Sequence, residues 1–118
     1  MQTSKQRLGA FGEDAACAFL VERGYQIVAR NYRCELGEID IIARAQKALV
    51  FVEVKTRSGG GYGSPFEAIT SQKLARMKRL AAHCARQFAN PGEQIRLDAI
   101  SVLVRNGRVL IEHLKQVF

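Results

Sequence analysis

The sequence predicts a single α/β domain, a mixed β-sheet flanked by helices in the order helix, three strands, helix, two strands. Three observations predict it. Apolar residues recur at helical spacing over residues 4–23 and 71–89. Strand-length runs rich in β-branched and aliphatic residues fall at 25–30, 36–44, 48–57, 95–104 and 108–114, and Asn106-Gly107 between the last two is a two-residue hairpin signal. At 118 residues the chain is one domain, 1–118, with room for one core and not for two.

The first helix carries Leu8, Phe11, Ala15 and Phe19 at helical spacing, with Gly24 just past its end as a cap. Glu13 is not on its solvated side. Ala16, Cys17 and Leu20 lie three, four and seven residues further on, so this acid shares a strip with small and apolar groups and needs a partner. By spacing alone that partner is a nearby arginine. Residues 25–30 read as the first strand and 31–34 as a turn. Arg30 and Arg33 bracket Tyr32, a mix that suits contact with a phosphate or a base as well as plain turn chemistry.

Residues 36–57 form the centre of the design, two antiparallel strands broken at Ala45-Gln46-Lys47. A turn centred on Gln46 and Lys47 sets Asp40 opposite Glu53 and Glu38 opposite Lys55, all four on one face because side chains alternate. Opposed β-carbons in such a ladder lie about 4.5 to 5.5 Å apart, where like charges destabilise. Two facing carboxylates therefore call for a cation, and Mg²⁺ is usually held by one or two carboxylates plus water and substrate phosphate. Lys55, beside such an ion, would balance charge developing on a phosphodiester. A solvated charge ladder is the plain alternative, but Leu49 and Phe51 share the face with Glu53 and place the acid at the end of an apolar stripe.

The glycine-rich segment 58–64 reads as a flexible loop, and Ser64, Pro65 and Glu67 suit a capping box opening a short helical turn. In the second helix Leu74, Met77, Ala81, Cys84 and Phe88 form the core stripe. Lys73, Arg76, Arg79, His83 and Arg86 form another stripe, with Lys78 beside it and no acid between Glu67 and Glu93. A single-sign stripe of this kind reads as a rail for a nucleic-acid backbone, and Arg57 joins the set. In the fourth strand Asp98 and Arg96 suggest a structural ion pair.

Composition sets limits on partner and compartment. Eighteen Lys and Arg against eleven Asp and Glu give a net charge of +7 and a pI near 9.8, which favours a polyanionic partner. Cys17, Cys34 and Cys84 are odd in number, without zinc-type spacing, and fit reduced thiols in a cytoplasmic protein. No signal-peptide core or bilayer-spanning run occurs, so no membrane partner is expected.

An acid on the first helix, then Gly37-Glu38-Ile39-Asp40, then Glu53-Val54-Lys55, resembles the PD-(D/E)xK nuclease superfamily, with Ile39 where the usual proline would stand. More closely, Gly12-Glu13, residues 30–33, 37–42 and 51–57, and Arg96-Leu97-Asp98 resemble the YraN-like bacterial proteins over nearly the whole chain. The resemblance implies a restriction-endonuclease-like fold similar to that of archaeal Holliday-junction resolvases. It implies Asp40 and Glu53 as ligands for Mg²⁺ or Mn²⁺, with the Val54 carbonyl as a further one, Lys55 steadying the transition state and Glu13 as a third acid. Gln72 and Lys73 are weaker candidates near the same end of the sheet. The expected function is a metal-dependent endonuclease hydrolysing DNA, on branched or junction substrates, with a homodimer allowed. The alternative is a non-catalytic nucleic-acid-binding module on the same fold, although two acids facing a phosphate backbone suit cutting better than holding.

Overall fold

The computed structural model describes residues 2–59 and 70–117, so most of the glycine-rich segment and the capping box at Ser64 lie outside the described residues. The elements follow the expected order: α1 (Ser4–Glu22), β1 (Gln26–Cys34), β2 (Gly37–Ala45), β3 (Ala48–Ser58), α2 (Ser71–Phe88), β4 (Gln94–Arg105) and β5 (Arg108–Leu114). They build one five-stranded sheet with strands in sequence order. Every neighbouring pair is antiparallel except β3 and β4, which run parallel because the segment containing α2 crosses over between them. Asn106 and Gly107 both have positive φ, 52° and 73°, as a type I′ hairpin turn requires.

The central strands are apolar on both faces because each face is covered by a helix. On one side Ala16, Cys17 and Leu20 of α1 meet Ile41, Ala43, Val50, Val52, Ile100 and Val102. On the other, Leu80, Ala81 and Cys84 of α2 meet Ile42, Leu49, Phe51 and Leu97. Burying a side chain such as Phe51 contributes about 1.5–3 kcal/mol.

Three local expectations are corrected. The buried stripe of α1 is Gly12, Ala16, Cys17 and Leu20, while Phe11 is exposed. Small residues on that face let the helix axis approach the sheet; of the expected stripe, Ala15 and Phe19 pack partly buried against the core, Leu8 is half-buried, and Phe11 alone is left outside. Leu80 is a core residue of α2 that the expected stripe omits. Residues 31–34 are strand, not turn. Asn31 takes φ 50° there, and the pairs Tyr32↔Ile39, Arg33↔Glu38 and Cys34↔Gly37 carry β1 through it. Its side chains are engaged internally: Arg30 with Asp14 at 2.6 Å, Arg33 with Glu38 at 2.7 Å, and the Tyr32 hydroxyl with Gln87 at 2.6 Å.

Asp98 is fully buried. Arg96 donates to it from Nε at 2.9 Å and from Nη2 at 3.0 Å, His113 Nε2 lies 2.7 Å away, and the Gln116 main-chain N–H donates at 3.0 Å. The expected ion pair is present, within a larger network that also draws in Tyr25, whose hydroxyl accepts from Arg96 Nη2 at 2.7 Å. Burial pushes the Asp98 carboxyl up, and the hydrogen bonds from His113, Arg96 and Gln116 outweigh it and hold the group below its ordinary value.

Candidate active site

Partners in the β2–β3 ladder have numbers that add to 93 from Ala45↔Ala48 to Ile41↔Val52, the register expected from a turn at Gln46 and Lys47. One further step would pair Asp40 with Glu53, and the ladder stops short of it. Instead, Asp40 Oδ2 accepts the main-chain N–H of Val54 at 2.8 Å. Beyond this point β2 stays with β1 alone, and β3 with β4 alone as far as Ser58↔Val104. The two strands part. A cleft of about 50 Å³ opens on the α2 side, lined by Glu38, Ile39, Asp40, Phe51 and Glu53 from the strands and by Arg76, Met77 and Leu80 from α2. A strand residue turns its N–H and C=O to the same edge, so the Val54 carbonyl is also aimed into the fork.

Burial is the main cause that raises the Asp40 carboxyl to about 6, and the charges of Glu13, Glu53 and Glu38 push the same way against the Val54 hydrogen bond. Among the described residues, Glu53 Oε2 is buried with no hydrogen-bond partner. A buried acceptor left in that state costs about 1–3 kcal/mol, more when charged, so the pair is incomplete without a donor or cation. Arg57 Nε, further along β3, is the other buried side-chain atom among the described residues without a partner.

Glu13 does not line the cleft, but its charge acts on Asp40, and it is brought near because Gly12 sits against β3. A Cβ built at Gly12 would stand 1.8 Å from Thr56 Oγ1, so only glycine lets α1 pack this closely. The arginine expected to neutralise Glu13 does not do so: Arg30 is paired with Asp14, and Glu13 makes no ion pair among the described residues.

Not every expected residue converges. With the ladder ended, Glu38 pairs with Arg33 and not with Lys55, which is exposed and does not line the cleft. Arg76 does line it, a placement its membership of a surface stripe did not indicate. Lys73 is half-buried, while Gln72, Arg79 and Arg86 are exposed along α2. Among the described residues no three His, Cys, Asp or Glu side chains form a ready-made metal cluster. Asp40, Glu53 and the Val54 carbonyl are thus the oxygen donors at hand, a set that fits Mg²⁺, which keeps several waters when bound.

Residues 12–102 match the uncharacterised protein family UPF0102. The chain belongs to that family. It is 51% identical over 115 residues to a UPF0102 protein of Nocardia farcinica, covering 97% of this chain and 91% of the relative. It is 49% identical over 114 residues to one from a Parafrankia strain, covering 96% and 97%. A UPF0102 protein of Moorella thermoacetica is 42% identical over 120 residues, the full length of both. The UPF0102 match spans Glu13, Asp40, Glu53 and Lys55. No helix among the described residues is long and apolar enough to cross a membrane.

Proposed function

We propose that this UPF0102 chain is a metal-dependent nuclease that hydrolyses phosphodiester bonds in DNA. The observation that carries the reading is the buried Oε2 of Glu53, unpartnered among the described residues, beside the half-buried Asp40 at a fork with room for a cation. A bound Mg²⁺ or Mn²⁺ would neutralise the phosphate and lower the pKa of a water. Asp40 and Glu53 would hold it, with the Val54 carbonyl aimed into the same gap. Val54 N–H fixes the Asp40 carboxylate in place, so little side-chain order has to be gained on binding. Arg76 at the cleft would orient a phosphate, and Lys55, on a flexible exposed stem, would reach charge developing on the scissile group. Lys73, Arg79, Arg86 and Arg57 extend the positive surface, and branched or junction DNA is the substrate class that the family resemblance favours.

The second reading, a nucleic-acid-binding module that does not cut, is favoured by one observation: Lys55 lies outside the cleft. A cleavage panel on linear, flapped and four-way DNA with Mg²⁺, Mn²⁺ or chelator decides between them. The nuclease cuts at least one substrate, needs the metal, and loses activity in Glu53→Gln and Lys55→Ala proteins whose circular dichroism is unchanged. Binding without cleavage in every metal establishes the second reading. Cleavage by Glu53→Gln in chelator overturns the site.

A further inference from the structure

Beside the N-terminal end of β3, away from Glu53, lies a second cavity, of about 530 Å³. From Lys47 at its rim to Glu53 is about 20 Å at the rise of a strand, so the two sites are distinct. Its polar wall includes Arg23, Tyr25, Lys47, Arg96, His113 and Lys115, and among the described residues no Asp or Glu lines it.

These donors are held in place by the structure around them. Asp98, fully buried behind the wall, fixes Arg96 through Nε and Nη2 and fixes His113 through Nε2. Arg96 Nη1 takes no part in those bonds. Tyr25 accepts from Arg96, so its own hydroxyl proton is left to donate. The His113 ring is wedged edge-on against Phe19 and Tyr25, at centroid distances of 6.0 and 6.1 Å. Arg23 lies 3.6 Å over the Phe19 ring and donates to its main-chain carbonyl at 3.3 Å.

Charge is unmatched here. Lys47 and Lys115 make no ion pair among the described residues, and Glu93, the acid next to the rim residues Gly92 and Gln94, is taken by Arg44 at 2.6 Å. Four Arg and Lys side chains thus face the space against the one buried carboxylate of Asp98. Protein surfaces ordinarily intersperse both signs, and a concavity of one sign focuses the field on an anion.

We propose that this cavity binds an oligophosphate, a ligand with two or more linked phosphate groups, either free or as part of a nucleic-acid backbone. Its volume falls in the range of small-ligand sites, about 300–1,000 Å³. Cations spread around its wall need more than one anionic group to satisfy them, and guanidinium and ammonium donors with a phenol match phosphate oxygens. The proposal goes beyond the metal site and does not rest on it.

The test titrates the full chain with tripolyphosphate by calorimetry at low ionic strength, and a short labelled duplex by fluorescence anisotropy. Lys47→Ala/Lys115→Ala removes two rim charges, and Lys5→Ala/Arg7→Ala, two exposed charges at the start of α1, is the control. Tripolyphosphate is expected to bind at a single site, about tenfold or more weaker in the rim variant and within roughly twofold of the parent in the control. If the duplex also weakens in the rim variant, the phosphates belong to a nucleic acid; if only tripolyphosphate does, they belong to a free ligand. Absence of saturable tripolyphosphate binding, or equal weakening in the control, overturns the proposal.

Discussion

Asp40 takes the main-chain N–H of Val54 at 2.8 Å, at the step where β2 and β3 cease to pair. A side chain thereby occupies a donor that the neighbouring strand would otherwise have used, and the sheet opens beside its own acid. Asp40→Asn keeps an acceptor for that N–H and removes the charge.

The carboxyl of Asp40 is raised from 3.8 to about 6, so the native state holds its proton more tightly than the unfolded chain. That contribution to stability is full below 3.8 and is lost as pH rises through about 6. Without metal, the parent's melting temperature should fall across this window. The Asp40→Asn protein should stay flatter there and be more stable near neutral pH by on the order of 1–2 kcal/mol. Mn²⁺ should raise the parent melt and leave the variant unmoved. A destabilised variant, with neither melt moved by Mn²⁺, would remove the acid pair as a cation site.

Gly12→Ala should be costly despite alanine's higher helix propensity. The added methyl meets Thr56 Oγ1 at 1.8 Å and Thr56 Cγ2 at 2.7 Å, so α1 must lift from β3. Overpacking of this kind costs about 1–3 kcal/mol. Since Glu13 follows directly, the variant should also respond less to Mn²⁺ in thermal melts. Gly9→Ala, where nothing stands near the new Cβ, is the control and should be neutral or stabilising.

Asp98→Ala should be among the most damaging single changes, at about 3–5 kcal/mol, because it leaves Arg96 without its buried counter-charge and His113 without its hydrogen-bond partner. The depressed carboxyl of the parent contributes stability above its ordinary value of 3.8, lost as pH falls through its lower folded value. Urea midpoints measured downward from neutral pH should therefore converge for parent and variant in acid.

Neutralising Arg76, Arg79 and Arg86 together tests the α2 surface. Duplex affinity should weaken similarly for all sequences, and its dependence on log salt should flatten by roughly 0.9 for each phosphate that the protein no longer neutralises. An unchanged slope in anisotropy titrations would move the binding face elsewhere.

Much of this was legible in the sequence where the signal is local. The polar break at Gln46-Lys47 and the aliphatic runs beside it fix the β2–β3 register, and with it the approach of Asp40 to Glu53. The fork was not legible, since it depends on one side chain competing for a donor on another strand. The inner face of α1 was obscured because Gly12 and Ala16 add little hydrophobicity yet permit close packing. His113 joins Asp98 only through the β4–β5 register, where its strand partner is Ile100, and no spacing within either segment announces it.

The parallel pairing of β3 and β4 joins residues 46 apart in sequence, as in Ala48↔Gln94, whereas Asp40 and Glu53 are 13 apart within one hairpin. Closing the longer loop has the larger entropic cost, so the local hairpin has the advantage in the order of assembly. The chain would then bring its two acids together before α1 arrives with Glu13 and before α2 covers the face. A divalent ion present during refolding would relieve that early repulsion, and the nascent hairpin would be the first part of the molecule to benefit from it.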